Sequence, residues 1–195
     1  EQPTARGLWA ELKRSCLEGL DGCDVIVVPH NANESNGNKF SVADPVEDSL
    51  DAQRQSAALR AEMEPLVEIF QNKGDSECTN GLLGVPGEPD ELCDFEKLAG
   101  PPVQDCGDGT GFGGVMGLGC VSRLDFVRNV LLAGLEEEER LGVNPYKLGV
   151  VACTDTHNAT PGAVAEARYA GHLGNLEDTP QKRLCPRGLG GNQGI

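Results

Sequence analysis

Asp24-Val-Ile-Val-Val-Pro29 passes directly into His30-Asn-Ala-Asn-Glu-Ser-Asn-Gly37, and the change of character between the two stretches decides how the chain is read. The first is a continuous apolar run bounded by turn residues, the pattern of a strand covered on both faces. The second holds too many turn formers to continue a strand or a helix. Upstream, Leu8 to Leu20 places apolar residues at 8, 9, 12, 17 and 20, a helical spacing that Gly22 interrupts. Helix, short loop and buried strand form the repeating unit of an α/β fold with a parallel sheet. In such folds the loops at the carboxyl ends of the strands hold the ligands.

The same unit recurs twice. Asp48 to Met63 is predicted to be a helix, Pro65 to Phe70 a strand and Gln71 to Glu77 its polar loop. Ser122 to Leu141 is predicted to be a helix, Lys147 to Cys153 a buried strand and Thr154 to Asn158 a third polar loop, with a short helix over Val164 to His172. Residues 79–119 are rich in Gly and Pro and form an irregular insertion. Within it Gly107-Asp-Gly-Thr-Gly-Phe-Gly-Gly114 does not qualify as a phosphate loop, because no strand precedes it and no GK[ST] follows. No repeat or low-complexity linker divides the chain, so residues 1–195 are read as one domain.

The 195 residues suffice for one core, and 26 glycines with 12 prolines exclude a purely helical bundle. Thirty-one acidic against 16 basic residues give a net charge of −15. That balance opposes nucleic acid, whose phosphates require clustered Lys and Arg, and it opposes anionic membranes. No apolar run reaches the roughly 18 residues of a membrane span, and no signal peptide is visible at Glu1 to Gly7. Eight cysteines without a CxxC pair disfavour a zinc ribbon or a thioredoxin-type site. Their even number and wide spacing favour disulfides in an oxidising compartment; eight buried thiols are the alternative. Cys78 and Cys93 bracket a Gly/Pro-rich loop that a bridge would restrain.

Of three histidines, His30 and His157 fall in the strand-end loops. Asp155 and His157 stand two apart, so in extended chain their side chains share one side and can hold one ion. Imidazole nitrogen with carboxylate oxygen suits Zn²⁺, Mn²⁺ or Fe²⁺. The bland readings are a chance DxH, a helix-capping His30, a Glu68 paired to Lys73 or an arginine, and a Lys73 in a surface salt bridge with Asp75 or Glu77. No EF-hand pattern supports calcium. The sequons at Asn33 and Asn158 belong to the same loops and are expected to be unmodified, since a glycan there would block the site.

Three motifs carry a resemblance: VIVVPHNANESNG (25–37), EPLVEIFQNKGDSEC (64–78) with DELCDFE (90–96), and LGVNPYKLGVVACTDTHNATPG (141–162). In this order they resemble a family of large secreted proteins of unassigned function related to the PHP (polymerase and histidinol phosphatase) metal-dependent phosphoesterases. The match runs from about Leu8 to His172. The resemblance implies part of a distorted (β/α)7 barrel with metals at the carboxyl ends of its strands. It implies His30 as a late single-histidine ligand and Asp155 with His157 as the final DxH pair. Asn31, Asn33, Lys73, Glu77 and Asn158 fall in the signature loops, and Glu68 stands beside them. Cys78 and Cys93 match family cysteines, which supports pairing them.

The superfamily's opening histidine-x-histidine and its early acidic ligands have no counterpart here. The chain is therefore expected to be the middle-to-late part of a longer protein, with an upstream segment or another chain completing barrel and site. The complete site is expected to hold more than one divalent transition metal and to hydrolyse a small phosphoester or related ester outside the cytosol, in a secreted, periplasmic or extracellular setting. Lys73 would neutralise charge on a phosphoryl oxygen, Glu68 or Glu77 would orient water or protonate the leaving group, and Asn31, Asn33 and Asn158 would contact substrate. The alternative is a non-catalytic extracellular binding or structural subunit that keeps the fold.

Overall fold

A computed structural model describes residues 4–41, 49–71, 74–80, 82, 93, 104–107, 109–111 and 119–155. In chain order its regular elements are α1 (Ala5–Leu12), α2 (Leu50–Met63), β1 (Leu66–Gln71), β2 (Gly74–Asp75), α3 (Val127–Leu141) and β3 (Gly149–Ala152). The three strands form one sheet in the order β2-β1-β3. β1 and β2 pair antiparallel, Phe70 opposite Asp75 and Gln71 opposite Gly74. On the other side, the amides of Gly149 and Cys153 donate to the carbonyls of Pro65 and Phe70, so partners advance together in the parallel sense. The helix predicted for 164–172 lies outside the described residues.

The helices begin and end where their capping chemistry dictates. Thr4 Oγ1 accepts from the Gly7 amide and Ser49 Oγ from the Ala52 amide, each satisfying a donor that a first turn leaves open. α1 widens into one π-helical turn, Lys13–Leu17, and a disulfide from Cys16 to Cys23 ties that turn to the following loop. The single helix expected over 122–141 is divided. Ser122 and Asp125 close a capping box around the 3₁₀ turn Arg123–Asp125, Phe126 is extended, and α3 starts at Val127.

Two compact units are distinguishable, residues 1–29, 42–67 and 130–149, and residues 30–41, 68–129 and 150–195. In the first, Trp9, Cys16, Ala57, Met63, Val130, Leu141 and Tyr146 are buried. At its centre the Arg60 guanidinium lies between two rings, 4.8 Å from the centroid of Trp9 and 5.0 Å from that of Tyr146. Arg60 donates to Glu64 Oε2 at 3.1 Å and to the Tyr146 hydroxyl at 2.8 Å, while Trp9 Nε1 donates to Glu64 Oε1 at 2.9 Å. Each buried charge thus has both a countercharge and hydrogen bonds, the condition under which burial is tolerated. Desolvation pushes the Tyr146 hydroxyl up to about 12 although Arg60 opposes the rise.

In the second unit, Phe40, Ser76, Cys78, Leu82, Cys93, Ser122, Asp125 and Phe126 are buried. Disulfides join Cys78 to Cys93 and Cys106 to Cys120, so the pairing expected for the first of these is found. Three bridges in one chain mark a protein that folds in an oxidising environment. No helix among the described residues is long and apolar enough to cross a membrane.

Two predicted strands differ from their readings. Residues 24–29 run without a ladder, and Val27 N donates to Met63 O as their backbone link. Pro29 and Pro65 both lack an N–H, which removes donors that a ladder over these segments requires. β3 is four residues long and exposed at each of them, not buried. Among the described strands it lies at the sheet edge, and Val150 is 52% exposed.

Candidate functional site

The site expected from the sequence rests on three loops, and the second unit brings parts of all three to the carboxyl end of β1. His30 is exposed and follows the buried Pro29. Asn31 then takes a left-handed backbone, φ 55° and ψ 40°, which Asn tolerates better than most residues, and starts the 3₁₀ turn Ala32–Glu34. That turn points the loop back to the sheet. Gln71 Nε2 donates to Asn31 Oδ1 at 2.7 Å. Ser76 Oγ donates to Asn33 Oδ1 at 3.1 Å and accepts from the Asn33 amide at 3.3 Å. Gln71 and Ser76 are both buried, so the 30–33 loop is held by groups with little freedom to move.

The third loop arrives from β3. Cys153 N donates to Phe70 O at 3.1 Å, and Cys153 Sγ lies 3.4 Å from Glu68 Oε2. Partial burial pushes the Cys153 thiol up; the Asp155 amide opposes this and the Glu68 carboxylate adds to it. Cys153 is thereby kept in its neutral form at neutral pH, and it is the one unpaired cysteine among the described residues. Asp155 has φ 50°, a second left-handed residue in a strand-end loop.

Two further groups shape the surroundings. Asp125 is 1% exposed and fastens two segments: its Oδ1 accepts from Ser35 Oγ at 2.9 Å and from the Gly37 amide at 2.6 Å, its Oδ2 from the Ser122 amide at 2.9 Å. Burial raises its pKa, and these three donors oppose the rise. Glu77 accepts from Arg128 Nε at 3.0 Å and from its second guanidinium nitrogen at 2.7 Å, in an exposed pair. Glu68 is the acidic side chain in contact with Cys153 at the end of β3.

His30, Asn31, Asn33, Glu68, Glu77 and Asp155 therefore have described positions, with Asn31 and Asn33 tied to β1 and to the residue after β2, and Glu68 beside Cys153. Lys73, His157 and Asn158 lie outside the described residues. Among the described residues no three His, Cys, Asp or Glu side chains come together as a metal site. His30 and Asp155 have the donor chemistry of borderline metal ligands, and a three-donor set from this chain requires His157 as well. Gln71, Ser76, Asp125 and Cys153 were not singled out from the sequence. Gln71 opens the predicted loop, which was the available signal; the Ser122-x-x-Asp125 spacing signals the pairing of Asp125 with Ser122, but nothing local announces its bonds to residues 35 and 37.

Comparison with protein-family models matches residues 1–190 to a family described as "Protein of unknown function (DUF3604)". No curated protein and no solved structure matches the chain. The chain belongs to that family, which is uncharacterised.

Proposed function

We propose that this member of an uncharacterised family contributes His30, Asp155 and His157 to the metal site of a secreted hydrolase acting on a small phosphoester or related ester, on part of a PHP-like barrel. The observation that carries the reading is the gathering of residues 30–33, 71, 74–77 and 153–155 at the end of β1 through Gln71–Asn31, Ser76–Asn33 and Cys153–Phe70. The three disulfides support the secreted setting. A bound divalent cation, one or more, would supply Lewis-acid polarisation and a water of lowered pKa. The chain's own residues would do the rest. Asn31 and Asn33, held by buried partners, would present fixed polar groups to the substrate; on the sequence reading Asn158 would contact it too, and Lys73 would neutralise charge on its oxygens. Glu68 would orient a water or hold a proton, a task for which Glu77, already engaged by Arg128, is less suited.

A binding or structural subunit without catalysis is the second reading, with which the 26 glycines and eight cysteines are compatible. Metal content of protein secreted by its natural source and purified without chelators separates the two. One to three equivalents of Zn, Mn or Fe per chain are expected, falling by at least about one equivalent in His30→Ala and Asp155→Asn. A folded, metal-free protein would leave the binding reading in place.

A further inference from the structure

We propose that the outward face of α3 is a docking surface for a basic amphipathic helix of a partner protein. α3 buries Val127, Val130 and Leu141, each no more than 3% exposed, and its Gly134 lies against Asn144, so its inner face is filled. Turned from these positions are Leu131, Leu132 and Leu135, at 39%, 45% and 60% exposure. They stand at i, i+1 and i+4, a ridge one helical turn long, of the kind that seats in the groove of another helix. A cluster of half-exposed leucines on one helix differs from singly scattered apolar residues and marks a contact surface.

The charge around the ridge selects the occupant. Glu136 and Glu139, both exposed, follow it directly on the same helix. Their neighbours Glu137 and Glu138 are engaged by Arg140 and by Lys147 with Asn144, but no ion pair among the described residues involves Glu136 or Glu139. A second copy of the chain would bring the same carboxylates and another net −15, which opposes self-association. A helix with leucines on one face and lysines beside them matches both features, burying the ridge and answering the two carboxylates.

The test uses the full chain and a fluorescently labelled amphipathic peptide of leucine and lysine, with a control peptide of equal charge whose leucines are replaced by serine. Anisotropy titration is expected to show the Leu/Lys peptide binding about tenfold or more tightly than the control. The triple variant L131S/L132S/L135S, altered only at exposed positions and checked for an unchanged Tm, is expected to abolish that preference, and E136Q/E139Q to reduce the salt dependence of binding. Equal binding of the two peptides, or a preference that survives loss of the leucines, overturns the proposal. So does sedimentation showing that the leucines hold two copies of the chain together.

Discussion

Asp125 shows how much one side chain can hold when it lies between segments distant in sequence. It accepts from a serine hydroxyl and two backbone amides, and an asparagine does not reproduce all three, because its amide replaces one acceptor oxygen with a donor. Asp125→Asn is therefore expected to cost about 1–3 kcal/mol at neutral pH, read from denaturant unfolding. The dependence on pH follows from linkage. The folded-state pKa is raised above the ordinary carboxylate value, so in the window between the two the folded state binds more protons than the unfolded one. The contribution of this carboxyl is complete below the ordinary value and is lost as pH rises through the raised one. Relative to Asp125→Asn, the native protein should have its larger advantage in acid and a smaller one at neutrality. An advantage that grows with pH across that window would show that hydrogen bonding, not desolvation, sets the pKa.

Elements were legible where local chemistry is self-sufficient and illegible where a neighbour decides. α2 and β1 fall within two residues of their predicted limits, because a serine cap, a run of strong helix formers and a stretch containing Val67 and Ile69 each act locally. The break between the 3₁₀ turn and α3 was not visible, since Ser122 and Asp125 form their box with help from Ser35 and Gly37 far upstream. The run at 24–29 carries strand composition, yet prolines on both sides of the prospective ladder remove its donors. For the candidate site, the polar loops after residues 29 and 70 were readable from their turn formers, although the first of them does not follow a strand. The groups that fasten them, Gln71 and Ser76, were not, because nothing local distinguishes a fastening glutamine or serine from a solvated one. α3 offers a test at this scale. A Cβ on Gly134 would lie 2.4 Å from Asn144 Oδ1 and 3.0 Å from Tyr146 Cβ. Gly134→Ala should thus destabilise by about 1–3 kcal/mol through overpacking, outweighing the roughly 1 kcal/mol that alanine gains in helix propensity. A raised Tm in this variant would show that the 142–146 turn can retreat.

At the scale of the molecule, the two units differ in how they are stapled. The first contains one bridge spanning 7 residues, the second two bridges spanning 15 and 14. Loop-closure entropy assigns about 2.5 kcal/mol to the short bridge and about 3 kcal/mol to each longer one. Reduction is therefore expected to weaken the second unit more, by about twice as much, and calorimetry of the reduced protein should resolve a transition that moves further than the rest. A single transition displaced as one would mean that the units unfold together in spite of their separate cores.

The packing around Arg60 has a consequence in optics. Trp9 is the only tryptophan in the sequence, it is 4% exposed, and its ring lies beside a guanidinium while its indole N–H is bound to Glu64. Trp9, Arg60 and Glu64 all belong to the first unit. Its emission is thus a private channel to that unit, silent about the other, and setting it beside circular dichroism, which sees both, separates the two without a label.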